Sequence, residues 1–306
     1  MTLDFEIVAE GLAFPEGPVW MKDGSLIFVE IAAGKITRLA PDGSLRTVAE
    51  PGGGPNGLAV GPDGALYCCN NGGFAWTDQD GMLIPGMAAA DYEAGRLERI
   101  DIETGEVIRL FDSIDGHALS GPNDLVFDAD GGFWFTDLGK VRSYGHDHGG
   151  LYYARPDTSL VRRAAFGPNM NGVGLSPDGR TVYAALTNDR QIIAMDVTGP
   201  GAVGAPALAG FPGRVVHGWA GRTLLDSLAV DAEGHVCVAT LLETPGIASV
   251  DPASGAITHY DFPDLLTTNI CFGGADMRDA WICLSATGRI AKVRWPRAGL
   301  ELAHYA

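Results

Sequence analysis

The chain reads as a single all-β domain over residues 1–306: a six-bladed β-propeller with four-stranded blades, its ring closed by an N-terminal strand. Three observations predict this. First, one short grammar occurs six times: a polar residue, an apolar run, a Gly-containing turn and a second apolar run. Second, the polar openings at 16, 56, 123, 171, 226 and 269 stand 40, 67, 48, 55 and 43 residues apart. Radial arrays of four-stranded blades repeat every about 40–50 residues. Third, 43 glycines and 18 prolines suit a chain that turns often. Helical periodicity is weak throughout, and its best stretch, Ala88–Arg96, is short. A β-sandwich also has many short strands, but it gives no reason for every hairpin to open on a polar side chain.

Taken in order, the hairpins open at Glu16 (turn Asp23-Gly24, then Leu26–Val29) and Asn56 (Pro62 to Gly64, then Ala65–Cys69). The third opens at Asn123, turns over Asp128–Gly132 and continues through Phe133–Thr136. The fourth opens at Asn171 (Pro177 to Gly179, then Thr181–Ala185) and the fifth at Asp226 (Ala232 to Gly234, then His235–Thr240). The sixth, with the weakest pattern, opens at Asn269 and returns through Ala280–Leu284. Two more strands follow each hairpin, for example Lys35–Leu39 and Leu45–Ala49, or Gly150–Ala154 and Leu160–Ala165. Phe5–Ala9 has no blade of its own. It is expected to supply the outer strand of the last blade, whose own strands end near Arg294.

Composition excludes several classes. A net charge of -17 argues against a nucleic-acid partner, which needs clustered Lys and Arg. No basic-then-apolar leader occupies Met1–Glu10, and no apolar run is long enough to span a bilayer, so no membrane partner is expected. The five cysteines contain no CxxC, and the adjacent Cys68 and Cys69 would point to opposite faces of a strand. A reduced, cytoplasmic protein follows as the expectation. There is no Gly-x-Ser-x-Gly element, and Gly52-Gly53-Gly54 lacks the Lys-Ser/Thr of a phosphate loop. Nothing in the sequence specifies an oligomeric state.

In a propeller the innermost strands line the central channel, so residues at their starts converge at one end. Glu16, Asn56, Asn123, Asn171, Asp226 and Asn269 all hold that position, all carry a side-chain oxygen, and none is basic. Asn and Asp also favour strand starts through local backbone bonds; that explains one or two of them, whereas six buried together need partners. A hard divalent cation is the economical one. Glu16 and Asp226 would balance its charge, with Asn123 and Asn171 as neutral oxygens. Chain direction puts the hairpin turns at the far end. The links between second and third strands return to the cation end, and the long ones, Asn70–Gly95 and Asp137–Gly149, would bring Trp76, Asp78, Tyr144, His146 and His148 near it. His146 and His148 form an His-x-His pair that can bind zinc, but it lacks a third ligand and is read as solvated or substrate-facing. His117, close in sequence to Asn123, is a further substrate-contact candidate, an ordinary loop histidine being the alternative.

Pro15-Glu16-Gly17-Pro18, Pro122-Asn123-Asp124, Asn171-Gly172 before Ser176–Gly179, and Asp226 before Leu228–Asp231 resemble the regucalcin/gluconolactonase family. That family includes sugar lactonases and, more distantly, diisopropyl fluorophosphatase. The resemblance runs from Glu16 to about Arg294. It implies a six-bladed propeller with one catalytic divalent metal, Ca²⁺ foremost and Mg²⁺, Mn²⁺, Zn²⁺ or Fe²⁺ as alternatives. By position its ligands fall on Glu16, Asn123, Asn171 and Asp226, with Asn56 beside the metal in the pocket. The implied reaction is water attack on the carbonyl of a small sugar lactone, with Asp226 as general base as well as ligand, or as ligand only where the metal alone activates the water. The 70–95 link is longer than in the plainest members of that family, and the Gly145-His-Asp-His-Gly149 loop is not one of its hallmarks. Alternatives are hydrolysis of another cyclic ester or of an organophosphate, a non-catalytic calcium-binding propeller, and an interaction scaffold.

Overall fold

Asp128 shows how local chemistry sets each blade. Its backbone N–H donates to Gly132 O at 2.8 Å, while its Oδ1 accepts from the N–H groups of Asp130 and Gly132, both at 3.0 Å. This Asx turn reverses the chain between Pro122–Phe127 and Phe133–Asp137. The computed structural model describes residues 1–167, 169–208 and 210–305. Its described residues build six four-stranded units around a channel, and each hairpin expected from the sequence forms.

Blade one is Pro15–Trp20, Leu26–Glu30, Lys35–Leu39 and Leu45–Ala49, from the channel outward. Blade two is Pro55–Val60, Leu66–Asn70, Arg96–Ile100 and Val107–Phe111; blade three is Pro122–Phe127, Phe133–Asp137, Gly149–Ala154 and Val161–Gly167. Blade four comprises Met170–Leu175, Thr181–Leu186, Gln191–Gly199 and Arg214–Gly218, and its third strand also pairs with Ala202–Val203. Blade five is Thr223–Val230, Val236–Leu242, Gly246–Val250 and Ile257–Asp261. Blade six is Thr267–Gly273, Asp279–Leu284, Arg289–Arg294 and, as expected, Phe5–Ala9, with Phe5 opposite Val293.

The innermost pairing shifts register in every blade, and always at the polar opening. The breaks fall between Glu16 and Val19, Pro55 and Leu58, Pro122 and Leu125, Met170 and Val173, Leu225 and Leu228, and Thr267 and Asn269. A bulge releases a residue from the ladder and re-aims its side chain. Glycine then lets neighbouring inner strands approach. A Cβ on Gly17, at φ +52°, would sit 2.2 Å from Asn56 O, and one on Gly172 would sit 2.5 Å from Leu228 N.

Apolar faces of adjacent blades form the core. Between blades two and three, Tyr67, Phe127, Phe133 and Phe135 interleave, with the Tyr67 and Phe127 rings 5.1 Å apart edge to face. Cys68 packs between blades one and two and Cys69 between blades two and three, so the pair does face opposite ways. All five cysteines are free.

Two features were not expected. The 70–95 link is an ordered hairpin, Phe74–Gln79 with Met82–Ala88, and Ala88–Arg96 holds a turn rather than a helix. Beyond Arg294 the chain crosses the far end of the channel, where Leu300 N–H donates to Val230 O at 3.0 Å. The ring of Tyr305 meets Trp20 and that of His304 meets Phe127. These residues close an apolar cavity of about 100 Å³ lined by Val19, Leu58, Phe127 and Val173 among others. No helix among the described residues is long and apolar enough to cross a membrane.

Candidate active site

At the opposite end of the channel the bulges leave a set of polar atoms with unequal satisfaction. Glu16 is 3 % exposed. Its Oε2 accepts from Gly17 N at 2.5 Å and from Asn269 Nδ2 at 2.6 Å, while Oε1 has no partner. Asn269 is fully engaged in that task, since its Oδ1 takes the Ile270 N–H at 2.7 Å. Asn123 and Asn171 are buried, and the Oδ1 of each is unpartnered. The Asn171 side chain lies near enough to Asp226 to favour its charged form, and Asp226 keeps part of its surface open. Asn56 is buried on the neighbouring inner strand.

Three carboxyl groups gather here. Burial raises Glu16 above the usual carboxylate range. Burial, then the charge of Glu16, lifts Asp226 well above it. Asp124, next to Asn123 in the Pro-Asn-Asp motif, is pushed up to about 8 by burial and by Glu16. Its Oδ1 accepts the Leu125 N–H at 3.1 Å, and Ser227 and the Val173 backbone of the neighbouring blades partly offset the burial by favouring its charged form. Mutual repulsion of buried carboxylates is relieved by protons or by a cation.

The donor set fits a hard cation. Glu16 Oε1, Asn123 Oδ1 and Asn171 Oδ1 are buried acceptors on three blades that nothing among the described residues satisfies, a costly arrangement unless a ligand completes it. Among the described residues no three His, Cys, Asp or Glu side chains gather in metal-holding geometry. A cation here would therefore depend on the amide oxygens, which suits calcium better than a softer metal.

Second strands anchor the rim. Ser285 Oγ donates to Pro15 O at 2.6 Å, Thr136 Oγ1 donates to Asn171 O, and Cys69 Sγ meets Asp124 O at 3.6 Å. Each hydroxyl or thiol thus holds the inner strand of the next blade. The Phe74–Ala88 hairpin leans over the rim: Leu83 N–H donates to Ala286 O of blade six at 2.8 Å, and Trp76 packs on Phe14 of blade one. At its base lies Lys140, 1 % exposed. Its Nζ donates to Asn71 Oδ1 at 2.9 Å and Gly73 O at 2.7 Å and sits 3.5 Å from the Phe74 ring centroid. Burial lowers its pKa to about 7.

The substrate-contact candidates divide. Trp76 is half-buried within the hairpin that joins the rim. Tyr144 is fully exposed at the turn between Val141–Arg142 and Gly145–His146. His146 is half-buried, its pKa lowered by that burial, and exposed His148 turns toward Phe166 of the outer strand, ring centroids 5.7 Å apart. His117 lies exposed in a short hairpin, grouped with Tyr152 and Arg163 at the outer part of blade three. The residues missed from the sequence, Asn71, Asp124 and Lys140, had signals of different strength. Asp124 follows Asn123 directly, whereas the Lys140–Asn71 bond spans 69 positions and has no local signature.

Comparison with known proteins places this geometry. The SMP-30/Gluconolactonase/LRE-like region model matches residues 14–286. A gluconolactonase from Zymomonas mobilis is 26% identical over 201 residues, covering 59% of this chain and 51% of that protein. Lactonase drp35 from Staphylococcus haemolyticus is 27% identical over 238 residues, covering 76% of this chain and 65% of that protein. The matches thus span between half and two thirds of these relatives' own length. Among solved structures, a gluconolactonase from Xanthomonas campestris superposes with a TM-score of 0.74 at 22% identity, covering 95% of this chain and 89% of that one. A calcium-binding regucalcin from Agrobacterium tumefaciens does so at 0.70 and 18%, covering 99% of both chains. Bulge-aimed Glu16, Asn123, Asn171 and Asp226 on a six-bladed ring, and a family match across nine tenths of the chain, lead to one conclusion: this protein belongs to the SMP-30/gluconolactonase/LRE-like family.

Proposed function

We propose that this protein is a divalent-metal-dependent hydrolase that opens a small lactone, of the aldonolactone type, by attack of water on its carbonyl. The observation that carries the reading is the trio of buried, unpartnered acceptors, Glu16 Oε1, Asn123 Oδ1 and Asn171 Oδ1. Family membership and relatives named gluconolactonase and lactonase support it. Glu16, Asn123, Asn171 and Asp226 would hold the cation, with Ca²⁺ favoured by the all-oxygen set. When bound, the cation supplies Lewis-acid stabilisation of the charge that develops on the carbonyl oxygen.

The chain's own residues do the rest. Gly17 N–H and Asn269 Nδ2 fix Glu16 through Oε2, leaving Oε1 free to face the site. Asn171, beside Asp226, favours its charged form. Asp226 takes a proton from the attacking water and returns it to the ring oxygen as the acyl–oxygen bond breaks, so hydroxy acid leaves and the carboxylate is regenerated. Asn56 and Trp76 line the approach to the reacting carbonyl.

The test is turnover of an aldonolactone panel, followed by pH indicator with spontaneous hydrolysis subtracted, on stripped protein re-supplied with Ca²⁺, Mg²⁺, Mn²⁺ or Zn²⁺. Restored hydrolysis that vanishes in Asn171→Ala supports the reading. Tight cation binding without lactone turnover overturns it and directs attention to organophosphates or to a non-catalytic role. Asp226→Asn separates base from ligand: retained cation affinity with turnover reduced about 10²–10⁴-fold marks the base.

A further inference from the structure

Asn70 and Asn71 follow one another at the end of the second strand of blade two, yet their side chains are used differently. Asn70 is spent entirely on the scaffold: Oδ1 accepts from Gly54 N at 2.9 Å and Gly72 N at 3.1 Å, and Nδ2 donates to Gly52 O and Glu98 Oε2, both at 2.9 Å. Asn71 is 2 % exposed and only half engaged. Its Oδ1 accepts from Gly73 N at 2.9 Å and Lys140 Nζ at 2.9 Å, and its Nδ2 has no partner. The amide cannot be turned round to cure this. The Gly73 N–H can only donate, so the oxygen must face it, and the orphan must be the amine.

Position gives that orphan its meaning. Asn71 N–H donates to Gly54 O at 2.8 Å, and its Oδ1 lies where a Cβ on Gly54 would fall, at 2.4 Å. It is therefore packed against the start of the inner strand that carries Asn56, at the end of the channel where Glu16, Asn123 and Asn171 present unsatisfied oxygens. Those are acceptors, which a cation satisfies; a buried amine needs the opposite, an oxygen that arrives with the ligand. Lys140, held over the Phe74 ring, fixes the carboxamide from the blade-three side.

We propose that Asn71 is a substrate-binding residue whose Nδ2 donates a hydrogen bond to the carbonyl oxygen of the lactone, with Lys140 as its positioning residue. This rests on the lactone-opening reading of the same site. A fixed neutral donor costs no reorganisation as charge grows on that oxygen, and removing one such donor in acyl transfer typically costs about 10²–10³ in kcat. The group also selects its ligand, because an analogue that cannot accept leaves a buried donor unpaired.

Asn71→Asp is the discriminating variant: it keeps an oxygen for Gly73 and Lys140 and replaces the amine by a second oxygen. For δ-valerolactone, kcat/KM should fall about 10²-fold or more, while Ca²⁺ affinity stays within about threefold and the melting temperature within a few degrees. For the corresponding thionolactone, whose sulfur accepts poorly, the loss should be much smaller. Equal losses on both substrates, or an unchanged kcat/KM, overturn the proposal. A second measurement needs no turnover and no variant fold: the Asn71 side-chain amide pair of the wild-type protein, followed by ¹⁵N NMR during titration with δ-valerolactam in the presence of Ca²⁺. A saturable shift of that pair supports the proposal. Its absence, whether or not other amides move, overturns it. Wild-type protein that fails to open any lactone sinks the lactonase reading, and the lactam titration still decides the role of Asn71.

Discussion

The Phe14 and Trp76 rings lie 5.0 Å apart at an angle of 52°, joining the residue two before Glu16 to the hairpin of blade two. Phe14 is buried and held at φ +62°, a region costly for a side chain with a Cβ. Trp76 also meets Phe74 at 5.8 Å. The hairpin therefore clamps the backbone that delivers Glu16.

Trp76→Ala should loosen that clamp. Loss of the aromatic pairing is worth about 1 kcal/mol on top of the apolar area the half-buried ring gives up, so the melting temperature should drop by at least about 2–4 °C. KM for a lactone should rise several-fold with kcat less affected, because the wall moves more than the reacting groups. Steady-state kinetics alongside a thermal melt checks both, and an unchanged KM would contradict the clamp.

Cation binding should stabilise the fold. A ligand that binds only the folded state at about a hundred times its Kd adds about 2.7 kcal/mol, visible as an upward shift of the melting temperature on titration of stripped protein with CaCl₂. Asn171→Ala should abolish most of the shift. A melting temperature indifferent to calcium in the wild-type protein would count against the oxygen set as a binding site.

Lys140 should titrate near neutrality, its pKa lowered by burial to about 7. The sign follows from linkage: between about 7 and the 10.5 of an ordinary lysine the unfolded chain binds a proton that the folded one has released. This group's contribution to stability therefore rises with pH across that window and is constant below it. The ¹³Cε resonance of Lys140 reports the midpoint. A value near 10.5 would mean that the Gly73 carbonyl, the Asn71 oxygen and the Phe74 face hold the proton against burial.

Gly17→Ala should be among the most damaging small substitutions in the chain. The new methyl group would meet Asn56 O at 2.2 Å, on a backbone at φ +52° that alanine resists. The loss should exceed the about 1 kcal/mol usual for a glycine in a left-handed conformation, read from urea unfolding, with cation affinity falling as Glu16 is displaced.

Much of this architecture was legible because the features that build it are local. Each inner strand announces itself by a polar residue, an apolar run and a Gly or Asp turn within about twelve positions, and the bulge at Glu16 or Asn171 needs only its own hairpin. Phe5–Ala9 could be placed because a ring must close and a strand was left over. The blade-two hairpin was hidden by Pro85 and Gly86, which break the alternation of Met82–Ala88, and by partners on blades one and six that no local pattern names. Lysine is ordinarily a surface residue, so nothing marked Lys140 as buried under Phe74. His117 and His148 stand out in the sequence by residue type alone; in the fold both are exposed, His117 in a short hairpin and His148 against Phe166.

The closure of blade six has a consequence for how the chain is made. Phe5–Ala9 is synthesised long before Arg289–Arg294, the strand it pairs with, and until then its backbone donors and acceptors have no permanent partner. Blades one to five can each zip from their own contiguous sequence, but the ring cannot lock until Arg289–Arg294 of the sixth blade has left the ribosome. An extension fused ahead of Phe5, or a stall before Arg289, would act on this final step and leave an open, edge-exposed crescent prone to pairing with other nascent chains.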